Sequence, residues 1–516
     1  MNIVKGLFLG SAAALLAVGG AQAADLPLKA KAVEYVKVCS IYGAGFYYIP
    51  GTDTCIKLGG YLRADVTLFG SAAYNAPAWN GPSGYNTRLA NDMIFRSRQD
   101  LNLDTRTATE YGVVRTYFDA TFNWTSGDGV AGGSLGVFYA FVQFAGFTFG
   151  KAVSQFDTPW TGYPGNNSSF LIGGYDDVTG INQVSYTAEF GNGVSASISL
   201  EDPSSYLQGG LYNVSAGPAQ AFIATGNPLP STTVAGISYL GGAPGVNSYG
   251  GVQVPDIVGK VRVDQAWGLF QVSAAAHQIR GSYYTNPTTG GATETFGHPS
   301  DTWGYAVQAA LSLKNLPTGP GDSINLTASY ANGASRYVLG GVSPNNFALF
   351  GYSSTSLPNA YQTVALGASG DGVFGNGTGI EKSTLWGFRG AFNHNWNPYW
   401  STSVFGSYTS VGWSGGGKDL ICGRTPGVTT TAFAAGGLTL NGTCDPNFRI
   451  SQIGTVTRWT PVKNLTFSGE VMYTYFDQSS SGTIQGSASN GKPGGAIYEF
   501  KDQGVWSGNL RVQRNF

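Results

Sequence analysis

The sequence lacks several features that mark other classes of protein. Only 11% of its 516 residues are charged, and the formal net charge is -1. A nucleic-acid binder would be basic, so this balance argues against nucleic acid as a partner. The three histidines, His277, His298 and His394, form no recognisable catalytic or metal-ligating pattern. We therefore expect no enzymatic activity, no metal and no cofactor.

Long apolar runs are also missing, apart from a short one at the start. Lys5, the apolar run Leu7–Val18 and the small-residue sequence Ala21-Gln-Ala23 have the layout of a secretory signal peptide. We expect residues 1–23 to be removed on export. No later run of ~18 apolar residues could form a membrane helix. An exported chain without such a helix is either free outside the inner membrane or a β-barrel.

The stretch Met93–Trp124 favours the barrel, because its residues alternate with period two. Successive side chains of a strand point to opposite faces. One face is apolar and carries Phe95, Leu101, Leu103, Val114, Phe118, Ala120, Phe122 and Trp124. The other is polar and carries Arg96, Arg98, Asp100, Asn102, Asp104, Arg115, Tyr117, Asp119, Thr121 and Asn123. An apolar face toward lipid and a charged face toward a water-filled lumen are typical of a transmembrane hairpin.

The same alternation predicts sixteen strands in an all-β, antiparallel transmembrane barrel. The first begins at Ile56, and the hairpin Met93–Trp124 supplies the next two. The others are predicted near Leu135–Phe144, Phe147–Phe156, Asn182–Phe190, Val194–Asp202, Asp256–Ala266, Leu269–Arg280, Thr302–Leu313, Ser323–Tyr330, Thr384–Trp396, Tyr399–Val411, Phe448–Trp459, Leu465–Asp477 and Gly504–Phe516. Short and long links alternate, which predicts short periplasmic turns and long external loops.

Aromatic residues cluster at the predicted strand ends, where barrels carry interfacial girdles. They are Trp124, Trp267, Trp303, Trp386, Trp396, Trp400, Trp459, Trp506 and Phe516.

Four cysteines in an exported chain indicate two disulfides. Proximity favours Cys39–Cys55 and Cys422–Cys444 over the two crossed pairings. Cys39 and Cys55 precede the first strand on the periplasmic side, whereas the other two lie in a long external link. An apolar band ~25 Å tall separates the two sides. A disulfide needs Cα atoms within ~7 Å, so this topology excludes crossed pairs.

The opening of the chain resembles the general porins of alphaproteobacteria, of the rhizobial type. The resemblance lies in Val33-Glu-Tyr-Val-Lys-Val-Cys39, Tyr42-Gly-Ala-Gly45 and Tyr48-Ile-Pro-Gly-Thr-Asp-Thr-Cys-Ile-Lys-Leu-Gly-Gly-Tyr-Leu-Arg-Ala-Asp65, and Phe516 at the end supports it. It implies a homotrimeric channel in the bacterial outer membrane, in contact with lipids and lipopolysaccharide, that passes small hydrophilic solutes and ions. Residues 24–55 would form a periplasmic lead with a small hairpin, and 56–516 the barrel. The third external loop, residues 157–181, would fold inward.

These expectations together predict a charge filter in the pore. The first three strands and the last one place Arg63, Arg96, Arg98, Arg115 and Arg511 on the lumen face. The inward loop offers Asp157, Asp176 and Asp177, and Gly173-Gly174 gives its backbone freedom to turn. The result would be a transverse field at the constriction. Alternatively, the arginines pair locally with Asp65, Asp100 and Asp119, and little field remains.

The leading functional interpretation is passive diffusion through a general porin. A channel selective for sugars or oligosaccharides is the second, and stacked Trp160, Tyr163 and Tyr175 in the inward loop would favour it. A surface adhesin or a soluble β-sandwich is the third.

Overall fold

The computed structural model describes residues 37–70, 77–79, 81–160, 164–168, 171–175, 179–204, 209–215, 248–286, 292–340, 346–424, 439–486 and 490–516. The expected signal peptide, residues 1–23, lies outside the described residues, as does the lead up to residue 36. In the part of the chain that the structure describes, no helix has both the length and the apolarity needed to span a bilayer.

Sixteen antiparallel strands form a closed barrel. They are β1 Cys55–Leu68, β2 Met93–Thr109, β3 Gly112–Thr125, β4 Ser134–Phe144, β5 Phe147–Ala152, β6 Ile181–Gly191, β7 Val194–Glu201, β8 Asp256–Gln265, β9 Gly268–Ile279, β10 Thr302–Lys314, β11 Ser323–Asn332, β12 Glu381–Asn397, β13 Trp400–Trp413, β14 Phe448–Val462, β15 Leu465–Gln478 and β16 Gln503–Asn515. Each pairs with its neighbours in sequence, and β1 closes the barrel on β16 with Tyr61 opposite Asn515. The predicted fold is confirmed.

The alternation in the sequence becomes two distinct faces of the wall. On β2, Phe95 is 49% exposed on the outside, while Arg96 is 3% exposed on the inside. All nine aromatic residues expected in the girdles are exposed, by 40 to 64%. One irregularity lies in β4, where Asp119 pairs with Tyr139 and Ala120 with Val137. Phe138 is therefore an extra residue in a bulge, and its ring lies inside the barrel against Arg98.

The strand ends differ in one place that matters for the pore. We predicted a strand over Phe147–Phe156, but β5 ends at Ala152. The following link runs from Val153 to Gly180, since β6 begins at Ile181. This link, which we call the inner loop, contains Asp157 and begins earlier than the predicted residue 157.

The long external links contain a second, five-stranded sheet that the sequence did not predict. Its strands, in spatial order, are Asn346–Phe350, Gln362–Ala368, Ile497–Phe500, Ser481–Gln485 and Thr439–Thr443. Three short strands extend the ends of barrel strands: Tyr47–Tyr48 pairs with β1, Gly372–Phe374 pairs with β12, and Leu211–Asn213 pairs with Gly372–Phe374. The helices are Gly81–Gly84, Arg336–Leu339 and Gly415–Ile421. One-turn 3-10 helices occupy Ser40–Tyr42 and Glu294–Phe296. We call the external sheet and its helices the outer cap.

The outer cap has its own apolar core, and that core continues onto the inner loop. Phe350, Leu366 and Tyr498 are among its buried residues. Phe347 of the same sheet belongs to a cluster that also holds Ile172 of the inner loop. The cap therefore rests on the loop that enters the barrel.

The structure forms the disulfides Cys39–Cys55 and Cys422–Cys444, with Cα separations of 6.0 and 5.9 Å. The first braces the segment before β1. The second lies against the core of the outer cap.

Candidate pore constriction

The inner loop follows the inside of the barrel wall, and its first contacts are with β7. Glu201 accepts hydrogen bonds from the Ser154 hydroxyl at 2.6 Å and the Gln155 amide at 2.8 Å. Its carboxylate is fully buried. These charge-assisted bonds turn the chain inward directly after β5 ends.

Farther along, inward glutamines of the wall bind the backbone of the loop. Gln308 on β10 accepts from the Tyr175 amide at 2.8 Å and donates to the Phe156 carbonyl at 3.0 Å. Gln452 on β14 accepts from the Ile172 amide at 2.9 Å. A glutamine side chain has both donors and an acceptor, so it can satisfy loop backbone groups that no strand pairs.

The loop approaches β12 so closely that the contact requires glycines. Gly173 has a φ of 109°, which other residues rarely adopt. A Cβ on Gly387 of β12 would lie only 2.8 Å from the Gly173 Cα. The glycine pair expected to free the loop thus also allows backbone to pack on backbone.

The tip of the loop, residues 164–168, is tied to the last strands of the barrel. Glu470 on β15 accepts from the backbone amides of Asn167 and Ser168, the latter at 3.1 Å. Arg458 on β14 donates to the Gly165 carbonyl at 2.6 Å. Both charged side chains are thereby used to hold the loop against the wall.

Of the five arginines predicted for the basic wall, four lie together. Arg96 forms a buried ion pair with Asp65, with closest atoms 2.6 Å apart. Arg511 lies 3.7 Å from the same carboxylate and donates to the Asn167 carbonyl at 3.1 Å. The alternative hypothesis of local pairing with Asp65 therefore applies to Arg96 and, at a longer distance, to Arg511.

Arg63 and Arg98 stand directly opposite each other on β1 and β2. Arg63 donates to Gln513 at 2.8 Å, and Arg98 donates to Asn123 at 2.5 Å. Arg511, Arg98 and Arg96 all lie close enough to Arg63 to repel its charge. Among the described residues no carboxylate lies within ion-pair distance of Arg63, although Asp100 on β2 lies close enough to interact with its charge.

Arg115 does not join this cluster. It lies opposite Arg106 and binds Asp104 through two bonds of 3.0 Å. Arg98 and Arg106 are eight residues apart on β2, or roughly 26 Å at the rise of a strand. Arg115 therefore belongs to the periplasmic end of the pore.

The expected acidic side of the filter is only partly described. Asp157 is buried, and its carbonyl accepts from Gln271 on β9 at 2.6 Å. Asp176 and Asp177 lie outside the described residues, as does Tyr163. Tyr175 is fully buried with its ring against Phe156, and Trp160 is half-buried.

The sequence reasoning missed the wall residues that anchor the loop. Glu470, Arg458, Gln308 and Gln452 all occupy inward positions of predicted strands. Their side chains are long and polar, and three of the four are buried by the loop. Period two predicts that these side chains point inward, but it does not predict which loop residue each one binds.

A closed sixteen-stranded barrel with an apolar outside, a polar inside and a loop fixed within it defines the porin class of outer-membrane channels. The protein-family model described as "Porin subfamily" matches residues 25–509. The chain belongs to this family.

Individual relatives match part of the chain. Porin Omp2b of Brucella suis biovar 1 is 39% identical over 214 residues, which are 39% of this chain and 54% of that protein. Porin Omp2a of Brucella melitensis is 38% identical over 224 residues, with coverages of 39% and 56%. The chain spans about half the length of the curated relatives it matches. The outer membrane channel DcaP of Acinetobacter baumannii shares the fold, with a TM-score of 0.55 at 14% identity over 91% of this chain and 99% of that one.

Proposed function

We propose that the protein forms a water-filled channel in the bacterial outer membrane, through which small hydrophilic solutes and ions diffuse passively. The observation that carries this proposal is the inner loop held inside a closed barrel by the wall. The hydrogen bonds described between loop residues 154–175 and side chains of the wall involve β6, β7, β9–β12 and β14–β16. Among the described residues, none of these bonds goes to β2–β4. The part of the wall that carries Arg96 and Arg98, on β2, is thus the opposite side of the constriction, while Arg511 on β16 contacts the loop tip.

The charge on that wall sets the expected selectivity. Asp65 pairs with Arg96 and lies 3.7 Å from Arg511, whereas Arg63 donates to the neutral amide of Gln513 and has no described carboxylate within ion-pair distance. Arginine remains protonated at all relevant pH values. The constriction therefore favours anions over cations and sorts solutes by charge as well as size.

A single substitution tests this filter. Arg63→Gln removes one charge that no described carboxylate pairs, so the reversal potential in a KCl gradient should move toward cation preference. Arg449→Gln is the matched control, because Arg449 lies on the outside of the barrel beside Asp477. An equal shift in both variants, or none in Arg63→Gln, would count against the filter.

We further propose that three copies assemble through the barrel strands near the two chain termini. The outer faces of β1 and β16 carry exposed aliphatic side chains, among them Leu58, Leu62 and Leu510. Large aromatic side chains lie farther round the wall, such as Phe122 and Phe388. This aliphatic patch lies between the exposed aromatic residues at the two ends of β16, Trp506 and Phe516, and offers a surface on which a second barrel can pack. Native mass spectrometry in mild detergent should show a trimer, and a monomer would refute the assembly.

The sugar-selective alternative receives less support. It relies on aromatic platforms in the inner loop, yet Tyr175 is fully buried and unavailable to a solute. The closed barrel also rules out the soluble β-sandwich. A liposome-swelling series with sugars of increasing size distinguishes general diffusion, in which rate falls smoothly with size, from selective transport.

A further inference from the structure

A cluster of positive side chains lies at the periplasmic rim, well below the constriction. Asp104 accepts from Arg106 at 3.2 and 2.9 Å and from Arg115 at 3.0 Å twice. One carboxylate between two guanidinium groups leaves an excess positive charge. Lys57 lies directly opposite Asp104 on β1 and adds another.

Aromatic rings hold these cations in place. The Arg106 guanidinium lies 4.9 Å from the centre of the Phe46 ring and 5.7 Å from that of Tyr42. The Lys57 ammonium lies 5.9 Å from the same Phe46 ring. Contacts within ~6 Å are attractive, and more so where water is partly excluded. Two cations from neighbouring strands thus converge on a single ring.

The ring itself belongs to the small lobe before β1, residues 37–54. Phe46 is 4% exposed and packs against the Cys39–Cys55 disulfide. The lobe is fixed to the barrel because Tyr47 pairs with Ile56. The disulfide therefore positions an aromatic ring over lumen-facing cations at the periplasmic mouth.

The cluster retains donors that the protein does not use. Arg106 binds Asp104 through Nε and Nη2, and Arg115 uses its Nη1 on Gln143 at 3.0 Å. Among the described residues, Nη1 of Arg106 and Nζ of Lys57 donate no hydrogen bond. The Arg106 side chain is 29% exposed and Lys57 is exposed, so both residues can be reached by a solute.

We propose that Arg106 and Lys57, ordered by Phe46 and Asp104, form an anion-binding station at the periplasmic mouth. It would recognise one carboxylate or phosphate group of a passing solute. Oxygen atoms of these groups match guanidinium and ammonium donors in charge and geometry. The station rests on the proposed channel function and deepens it, since it adds a second point of anion selection after the constriction.

The proposed station predicts that anions added from the periplasmic side block the channel by binding to it. Citrate serves as the carboxylate probe and inorganic phosphate as the phosphate probe, each added to one chamber of a planar bilayer. From the periplasmic side, Arg106→Gln should weaken block by citrate roughly tenfold, the size expected for one charge-assisted contact. Block from the external side should stay unchanged.

A matched control separates a built site from general screening. Lys314→Gln removes one positive charge at the same end of the barrel, where Lys314 lies 3.6 Å from Asp264 and near no ring in the described contacts. Its effect on block should stay within about twofold, as for other exposed ion pairs. Equal weakening in Arg106→Gln and Lys314→Gln would overturn the station, as would no change in Arg106→Gln.

Two further variants test the lobe. Phe46→Leu keeps every charge and removes the ring, so periplasmic block should weaken about threefold. The Cys39→Ser/Cys55→Ser double variant should weaken it similarly while conductance in KCl persists. Unchanged block in both would overturn the role of the lobe. A protein that never conducts would overturn the channel itself, which is a different result from a conducting channel without sided block.

Discussion

The attachment of the inner loop to Glu470 offers a direct test of the constriction. Glu470→Gln keeps the size of the side chain and removes its charge. Two backbone amides, those of Asn167 and Ser168, lose a charged acceptor. A hydrogen bond to a charged group contributes ~1.5–3 kcal/mol and one to a neutral group about 1 kcal/mol. Weakening both bonds should therefore reduce the free energy that holds the loop tip against the wall by about 2 kcal/mol. At 1.4 kcal/mol per factor of ten, the released tip becomes roughly thirtyfold more populated.

Single-channel recording measures this release. A loosened tip moves within the lumen, so brief closures should become more than tenfold as frequent while the fully open conductance persists. Glu189→Gln is the matched control, since Glu189 is an exposed carboxylate near the periplasmic end of β6. Closure rates that match in the unaltered protein and in Glu470→Gln would refute the role of Glu470 as an anchor of the loop tip.

Two other perturbations test sites away from the constriction. His277→Gln breaks a fully buried pair, because His277 Nδ1 lies 2.7 Å from Asp256 and Nε2 lies 3.0 Å from the Tyr249 hydroxyl. We expect the free energy of unfolding to fall by about 3 kcal/mol and hydrogen exchange at residues 248–252 to become faster. The control His298→Gln, in an exposed loop, should show neither effect. In the turn before β11, hydrogen bonds from the Thr318 hydroxyl and then the Asn395 amide lower the pKa of Asp322 to about 2. A lowered pKa stabilises the fold above the unfolded value of about 4, and this contribution disappears as pH falls toward 2. In Asp322→Asn the melting temperature should therefore fall less between about pH 4 and pH 2 than in the unaltered protein. An equal fall in both proteins would contradict the role of this turn.

The barrel was predictable because each strand separates lipid from lumen. In β2, outward Phe95 and inward Arg96 obey that constraint at adjacent positions, and every predicted strand carries the same signature. Period two is a strong local signal, and the alternation of short and long links checks the count. The strand ends do not follow from period two alone. β5 ends early because Ser154 and Gln155 bind Glu201, which is distant in sequence.

The outer cap could not be found by the same reasoning. In Gln362–Ala368, six consecutive residues are buried, so the strand shows no alternation. A short apolar run surrounded by glycine and serine lacks the lipid-facing signature used to define the barrel strands. Its partners, such as Ile497–Phe500, come from a different external link. Only the folded chain brings them together.

The charge filter shows why residue type alone was insufficient at the site. Parity placed Arg63, Arg96 and Arg98 inside, but the register of β1 on β2 decides their partners. Asp65 lies opposite Arg96, whereas Arg63 lies opposite Arg98. A shift of one residue would invert every face, and a shift of two would place Arg63 opposite either Arg96 or Asp100, a repulsive pair or an ion pair. Selectivity at this wall is therefore a property of strand register.

The path of the inner loop is encoded in the wall more than in the loop. The bonds that fix it join wall side chains, such as Gln308, Gln452 and Glu470, to loop backbone amides and carbonyls. Every residue except proline offers the same amide, so loop side chains can change while the path is kept. Exchange of loop side chains can then alter what the pore selects, and exchange of a wall anchor alters whether a constriction forms. Those two consequences separate Arg63→Gln, which should shift selectivity with a stable channel, from Glu470→Gln, which should make brief closures more frequent.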